Sequence, residues 1–399
     1  MATTYSAAEV ASRAGVDPGE VARMTELGIL APEAPDRYAA GDVRRVLLAR
    51  SLDDAGIRLE DVAAGIERGD VSLAFLDAAA YERFSMLADE TFRQASDRTG
   101  VSLEQLMMIR EATGLAAPSP EDRLREDELP IVRFLEIQAH EGFRPLAAER
   151  LLRVYGEETR RIAESEAAWW NTEVIEPAIA AGASTEEVGN AALSDRISPL
   201  AEAAMLAMYH AQQGRAWTAN IVEGFEQVLA NAGIHSRLPR LPAICFLDIT
   251  GYTRLTQERG DDAAAELATT VAQLVRRSSV QHGGKPIKWL GDGVMFHFPD
   301  PGPGVRAALE MLESLAAAGL PPAHVGLHSG PVLFQEGDYF GQTVNLSARV
   351  AEYARPGEVL VSKAVVEAAG DDAFAFGDIG AVELKGVAGP MHLFRAALA

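Results

Sequence analysis

Up to about residue 235, apolar positions recur at helical spacing; beyond it they gather into short continuous runs bounded by polar residues. Val10, Val16 and Val21 lie on either side of Gly15, the pattern of a helix, a glycine turn and a second helix running through Met24. Further helices are expected from Gly41 to Leu52 and from about Ile57 onward. Ile131, Phe134, Leu135 and Ile137 give the segment from Glu128 to Glu141 an apolar face, and Ser184-Thr185-Glu186-Glu187 has the form of a helix start. Pro145, Pro177 and Pro199 punctuate the helical stretch. Ile221, Phe225, Val228 and Leu229 mark a helix from Thr218 to Ala232, which Leu238-Pro239-Arg240-Leu241-Pro242 breaks off. After the break, Ile244-Cys245-Phe246-Leu247-Asp248-Ile249 and Pro286-Ile287-Lys288-Trp289-Leu290 read as strands.

The opening pattern occurs twice. Ser12-Arg13-Ala14-Gly15-Val16 is echoed by Asp97-Arg98-Thr99-Gly100-Val101. Gly28, Ala31-Pro32 and Asp36-Arg37 return as Gly114, Ala117-Pro118 and Asp122-Arg123, each set followed by an acidic residue opening a helix, Asp42 or Glu128. Matching punctuation of this kind points to an internal duplication offset by roughly 86 residues. Residues 1–75 resemble the winged helix-turn-helix of MerR-type regulators. Yet they carry 8 Arg against 13 Asp and Glu, a net of −5, and Pro18 to Glu26 offers Arg23 as its only base. A DNA reader needs the opposite sign, so a protein-contact scaffold is the expected use.

Composition narrows the picture further. At 399 residues the chain is too long for one core, and domains are expected at 1–75, 76–235 and 241–399. A net charge of −22 argues against nucleic acid or an anionic membrane as partner. No run is apolar enough to span a bilayer, no signal-peptide pattern opens the chain, and Cys245 is the single cysteine. These features predict a cytoplasmic protein. Only four of the 36 basic residues are lysines, Lys285, Lys288, Lys363 and Lys385, all after residue 280. Drift accounts as well as function for Lys285 and Lys363, whereas Lys288 and Lys385 stand in motifs.

Those motifs carry the chemistry. Asp248 ends an apolar run and precedes Thr250-Gly251-Tyr252-Thr253, while Asp292 sits in Gly291-Asp292-Gly293 between two strand-like segments. Two such carboxylates suit a pair of hard cations over a phosphate chain. The backbone from Ile249 to Thr253, turning at Gly251, offers amides to phosphate. Lys288 lies four residues before Asp292; Asn345 follows Asp338 by seven, and Arg349 follows Asn345 by four. An i, i+4 pair projects from one face of a helix.

Asp248, Lys288, Asp292, Asp338, Asn345 and Arg349, in that order and spacing, resemble the class III nucleotidyl cyclases over residues 241–399. The resemblance implies an α+β ferredoxin-like catalytic domain, here behind an all-α regulatory half made of the helix-turn-helix and a helical bundle. The implied reaction turns ATP into 3',5'-cyclic AMP and pyrophosphate. Asp248 and Asp292, with the Ile249 carbonyl, would hold two Mg²⁺ or Mn²⁺. Lys288 would donate to adenine N1 and Asp338 accept from the N6 amine, a pairing that guanine reverses. Asn345 would orient the ribose, Arg349 neutralise the α-phosphoryl and Lys385 meet the terminal phosphates, with Gly251, Tyr252 and Thr253 beside them. A head-to-tail homodimer would complete each site. The rival reading is a transcription regulator whose cyclase-like domain is only a nucleotide-responsive dimeriser. For an input, the upstream half offers Trp169, Trp170, Met205, Met208 and Trp217 to an apolar small molecule or lipid, and His140, His210 and His235 to pH.

Overall fold

The structure, a computed structural model, describes residues 4–77, 86–184, 186–188, 197–235, 241–251, 261–291, 293–370 and 373–399. The chain divides into two units, Met1–Val222 and Glu223–Ala399.

The first unit begins with strand β1 (Thr4–Tyr5), helices α1 (Ala7–Ala14) and α2 (Pro18–Glu26), strand β2 (Tyr38–Ala39), and helices α3 (Ala40–Asp54) and α4 (Leu59–Arg68). Ser6 and Glu9 exchange backbone and side-chain hydrogen bonds at the start of α1, and Gly15 ends it at φ 70°. The same devices recur in β3 (Leu87–Thr91), α5 (Phe92–Thr99), α6 (Leu103–Ala112), β4 (Arg123–Arg125) and α7 (Leu129–His140). Thr91 and Gln94 form the capping box of α5, and Gly100 closes it at φ 72°. β1 pairs with β2 and β3 with β4, both antiparallel. The two acids singled out by the repeat are both buried, and both accept the backbone amide three residues upstream: Asp42 from Ala39 at 2.8 Å, Glu128 from Arg125 at 2.7 Å. Burial pushes the Asp42 carboxyl above its usual range, opposed by the Ala39 amide and Arg45. The N-terminal half is therefore not purely α, since each copy carries a small strand pair.

Each copy has its own core, around Val10, Val21 and Val46 in the first and Phe92, Leu106 and Leu124 in the second. Arg123 Nη1 ties them by donating to the Ser12 carbonyl at 2.7 Å and the Ser12 hydroxyl at 2.8 Å. α6, the counterpart of α2, is covered by α8 (Pro145–Trp170): a Cβ at Gly156 would stand 1.8 Å from the Ala112 carbonyl oxygen. A π-helical turn (Asn171–Ile175) and α9 (Glu176–Ala180) follow. The helix expected over 218–232 is the last part of α10 (Ile197–Asn231), about 50 Å long. Pro199 lies within its first turn, where proline costs no hydrogen bond. Of the residues proposed to wall an apolar pocket, Trp169, Met205, Met208 and Trp217 are exposed, Met208 by 71% and Trp217 by 60%. Within one chain they are surface.

The second unit is built on a seven-stranded sheet: β5 (Ala243–Ile249), β6 (Lys285–Leu290), β7 (Gly293–Phe298), β8 (Ala323–Ser329), β11 (Val359–Ser362), β12 (Phe374–Val382) and β13 (Met391–Leu398), ordered β12-β13-β11-β8-β5-β7-β6. Helix α11 (Asp261–Gln281) joins β5 to β6, and α12 (Pro301–Ala317) joins β7 to β8. The resulting β-α-β-β-α-β with order β8-β5-β7-β6 is the ferredoxin-like arrangement expected from the resemblance. Alternation along β5 sends Ala243, Cys245, Leu247 and Ile249 into the core with Val294, Phe296 and Met311. Cys245 is wholly buried, and desolvation pushes its thiol up. On the opposite face lie Ile244, Phe246 and Asp248, beside a separate hairpin of β9 (Leu333–Gln335) and β10 (Asp338–Phe340) and helix α13 (Gln342–Tyr353). α14 (Lys363–Ala369) completes the helices of this unit among the described residues.

Candidate functional site

Asp248 stands one residue before the end of β5, opposite Gly293 of β7 and His324 of β8. Gly293 leaves the carboxylate room, since a Cβ there would lie 3.1 Å from Asp248 Oδ1. His324 Nε2 is 3.5 Å from Asp248 Oδ2. β6 pairs with β7 up to Leu290 and Gly293, and Gly291, at φ 66°, follows the end of β6. Asp292, Tyr252 and Thr253 lie outside the described residues. A half-exposed carboxylate at a strand end fits the hard oxygen donor that Mg²⁺ or Mn²⁺ prefers. Ile249 has its side chain in the core, leaving only its main chain for a cation.

The amides expected to bind phosphate need one correction. The Thr250 N–H donates to the Pro322 carbonyl at 2.9 Å and is committed to holding β5 against the start of β8. Gly251 follows, exposed and at φ 79°.

Lys288 and Asp338 come together. A bulge between Pro286 and Lys288 interrupts the β6–β7 register, and the Lys288 ammonium contacts Asp338 Oδ2. Asp338 is placed by the β9–β10 turn, where Glu336 (φ 53°) and Gly337 (φ 79°) both adopt left-handed backbone. Its other oxygen, Oδ1, accepts the Tyr339 amide at 2.8 Å.

Asn345 and Arg349 also come together, one turn apart on α13. Both line an open cavity of about 560 Å³ with Gln342, Leu346, Gly386 and Val387. Lys385 is the exposed residue preceding Gly386, so its loop borders the same space. Arg349 Nη1 is held by Glu352, one turn further on. α13 is seated by Gly326 of β8, where a Cβ would fall 2.1 Å from the Ala351 amide nitrogen. Among the described residues, the cavity is lined by α13 and residues 386–388, with none from β5 or β7. His324, Glu352 and Tyr339 are neighbours of the site that sequence reasoning missed. Glu352 lies at the i+3 spacing of a helical ion pair and was findable. The other two depend on strand register and hairpin docking.

Residues 241–396 match the family model described as adenylate and guanylate cyclase catalytic domain. The chain is 30% identical over 319 residues to the pH-sensitive adenylate cyclase MT1302 of Mycobacterium tuberculosis, covering 76% of this chain and 77% of that protein. An adenylate cyclase of Streptomyces coelicolor is 29% identical over 280 residues, covering 69% of this chain and 70% of its own length. Among solved structures, the adenylyl cyclase CyaB from P. aeruginosa is 21% identical and matches 40% of this chain and 94% of its own, with a TM-score of 0.36.

Proposed function

This chain belongs to the adenylate and guanylate cyclase family, and we propose that it is a regulated adenylate cyclase acting as a homodimer. One observation carries the choice of base: Lys288 and Asp338, distant in sequence, meet as a donor and an acceptor. Adenine presents an acceptor at N1 and a donor at N6, so both groups find a partner. Guanine reverses both and would leave two unpaired polar groups.

The reaction forms a bond from the ribose 3'-oxygen to the α-phosphorus and breaks the bond from that phosphorus to the oxygen of the departing pyrophosphate. The 3'-hydroxyl proton is released in the same conversion. Asp248 and Asp292 would hold two divalent cations, whose chemistry is to acidify the hydroxyl and neutralise the leaving oxygens. Asn345 fixes the ribose, and Arg349 offsets charge on the α-phosphoryl. Lys385 and the Gly251–Thr253 segment receive the terminal phosphates.

A second copy is supported by the cavity at Asn345 and Arg349, whose lining includes neither Asp248 nor its strand. Exposed Trp289, Leu290, Leu333, Phe334 and Phe340 give this unit an apolar surface of the kind subunits cover. In the head-to-tail dimer one chain supplies Asp248 and Asp292, and the other supplies Lys288, Asp338, Asn345 and Arg349.

Residues 1–235 supply the regulation. Their MerR-like reading is supported by the α1–Gly15–α2 geometry with the β1–β2 pair. DNA binding is disfavoured because Arg23, the one base of α2, is engaged by Glu60 at 2.6 Å. α10 is the transmission rod, ending at Asn231 ahead of the strand that bears Asp248. pH is one input, in line with the name of the M. tuberculosis relative, and an apolar small molecule or lipid is the other. The test is cyclic nucleotide formation from ATP and from GTP by the full chain and by residues 236–399. Cyclic AMP should exceed cyclic GMP by tenfold or more, on the order of one misplaced hydrogen-bond pair. Equal products overturn the base assignment, and identical rates of both forms at every pH and with added lipid overturn the regulatory one.

A further inference from the structure

Lys285 stands outside the six-residue set, yet it is one of only four lysines in the chain. Its ammonium lies 5.1 Å from the centre of the Tyr339 ring and 5.3 Å from that of Phe334. Tyr339 is also stacked on His297, with ring centres 4.4 Å apart and planes 14° from parallel. Lys285 and His297 are direct partners across the β6–β7 ladder, so the two groups that hold Tyr339 face each other. His297 Nδ1 is buried and has no hydrogen-bond partner among the described residues. The imidazole is part-buried, and the contact recorded on its ring face is the stack with Tyr339.

The hairpin needs such a brace. β9 and β10 are three residues each, paired with one another in a two-stranded sheet separate from the seven-stranded one. A two-stranded hairpin is marginal by itself, so side chains decide where it sits. Tyr339 does this with Ile244 and Met295 beneath it. Asp338 is the residue before Tyr339 and gives Oδ1 to the Tyr339 amide, leaving Oδ2 for Lys288. Any shift of the Tyr339 ring therefore moves the carboxylate that reads the base.

We propose that Tyr339, clamped between His297 of β7 and Lys285 of β6, is a positioning residue for base recognition that sets the distance between Asp338 and Lys288. The clamp rests on the assignment of Lys288 and Asp338 to adenine and adds the means by which their geometry is kept. Hydrogen-bond discrimination needs placement to within about half an ångström, which a free hairpin does not provide. Desolvation, and then Lys285, keep the His297 imidazole neutral, down to a pKa of about 4, so that it meets the Tyr339 ring as an uncharged π surface.

The test uses the full chain and compares KM, kcat and the ATP-to-GTP ratio of kcat/KM. His297→Leu and Tyr339→Leu keep apolar volume and remove the stack. Each should raise KM for ATP and lower the ratio, both by about tenfold, with kcat changed by less than about threefold. His297→Phe restores a ring and should bring both values back to within about twofold of the parent. Lys285→Met should move them in the same direction as His297→Leu, by about twofold to threefold. An unchanged KM and ratio in folded His297→Leu overturns the proposal, and so does a fall in kcat alone. Should the leucine variants lose their thermal transition, Lys285→Met decides, because Lys285 is exposed: parental values there overturn it. Lys288→Glu with Asp338→Cys separates the two levels. If that double variant keeps its preference for ATP, the adenine assignment fails. If it loses the preference and His297→Leu does not, only the clamp fails.

Discussion

Lys288 and Asp338 close an ion pair within one chain, an ammonium on β6 against a carboxylate opening β10, 50 positions apart in sequence. Both side chains remain partly exposed, 38% and 24%, so the pair by itself contributes little stability. An entering base can separate the two groups at small cost and satisfy each.

Lys288→Glu combined with Asp338→Cys removes the proposed N1 donor and N6 acceptor together. The ratio of kcat/KM for ATP over GTP should fall by about tenfold to a hundredfold in steady-state assays with both nucleotides. A ratio equal to the parent's would place base choice elsewhere. Strong GTP activity is not required, because the pocket must also repack.

Asp248→Ala and Arg349→Ala should each be nearly inactive, and an equal mixture should regain part of the parental rate. In a heterodimer one of the two sites keeps all its groups, so statistical exchange limits recovery to about a quarter. Mixing under conditions of proven subunit exchange, followed by a cyclic AMP assay, checks this. No recovery means that each chain builds its site alone.

Gly326→Ala should disable catalysis without touching a catalytic group. The new Cβ would meet the Ala351 amide at 2.1 Å, and a backbone cannot yield as a side-chain tip does. α13 must then lift from β8, carrying Asn345 and Arg349 out of place by around an ångström, a displacement worth about a hundredfold in rate. Activity near the parental value would show that α13 is free to slide.

His297 gives the second unit a pH-dependent stability. The unfolded imidazole takes a proton near pH 6.5 and the folded one only near 4, chiefly because the ring is desolvated and then because Lys285 is close. Between those values the unfolded state binds more protons, so stability falls as pH drops through that window and is flat below it. The full effect is at most about 3 kcal/mol. Melting of the parent and of His297→Phe from pH 7 to 4 should diverge over this range, the parent losing more. Parallel curves would mean that His297 titrates normally.

Much of the architecture was legible because its causes are local. Gly15, Gly100 and the two acids Asp42 and Glu128 announce the repeated module, since caps and left-handed turns act over three or four residues. The strand-ending Asp248 and the Asn345–Arg349 pair are likewise local, and the ferredoxin-like order follows from the resemblance. What escaped depends on contacts between distant segments. Nothing near Thr250 signals that its amide is taken by Pro322. The His297–Tyr339 stack requires knowing how the hairpin docks on the sheet. The full reach of α10 was missed because Pro199 reads as a break, although proline is tolerated in a first turn.

Cys245 lies at the middle of β5, shielded on all sides, and its thiol is held well above the range in which thiolates form at neutral pH. As the one sulfhydryl of the chain, it leaves the native surface inert to maleimides and iodoacetamides. A cysteine introduced at an exposed position such as Met208 is then the sole reactive handle. Paired spin or fluorescent probes can therefore report inter-subunit spacings in the proposed dimer of otherwise unaltered protein, without first stripping out native thiols.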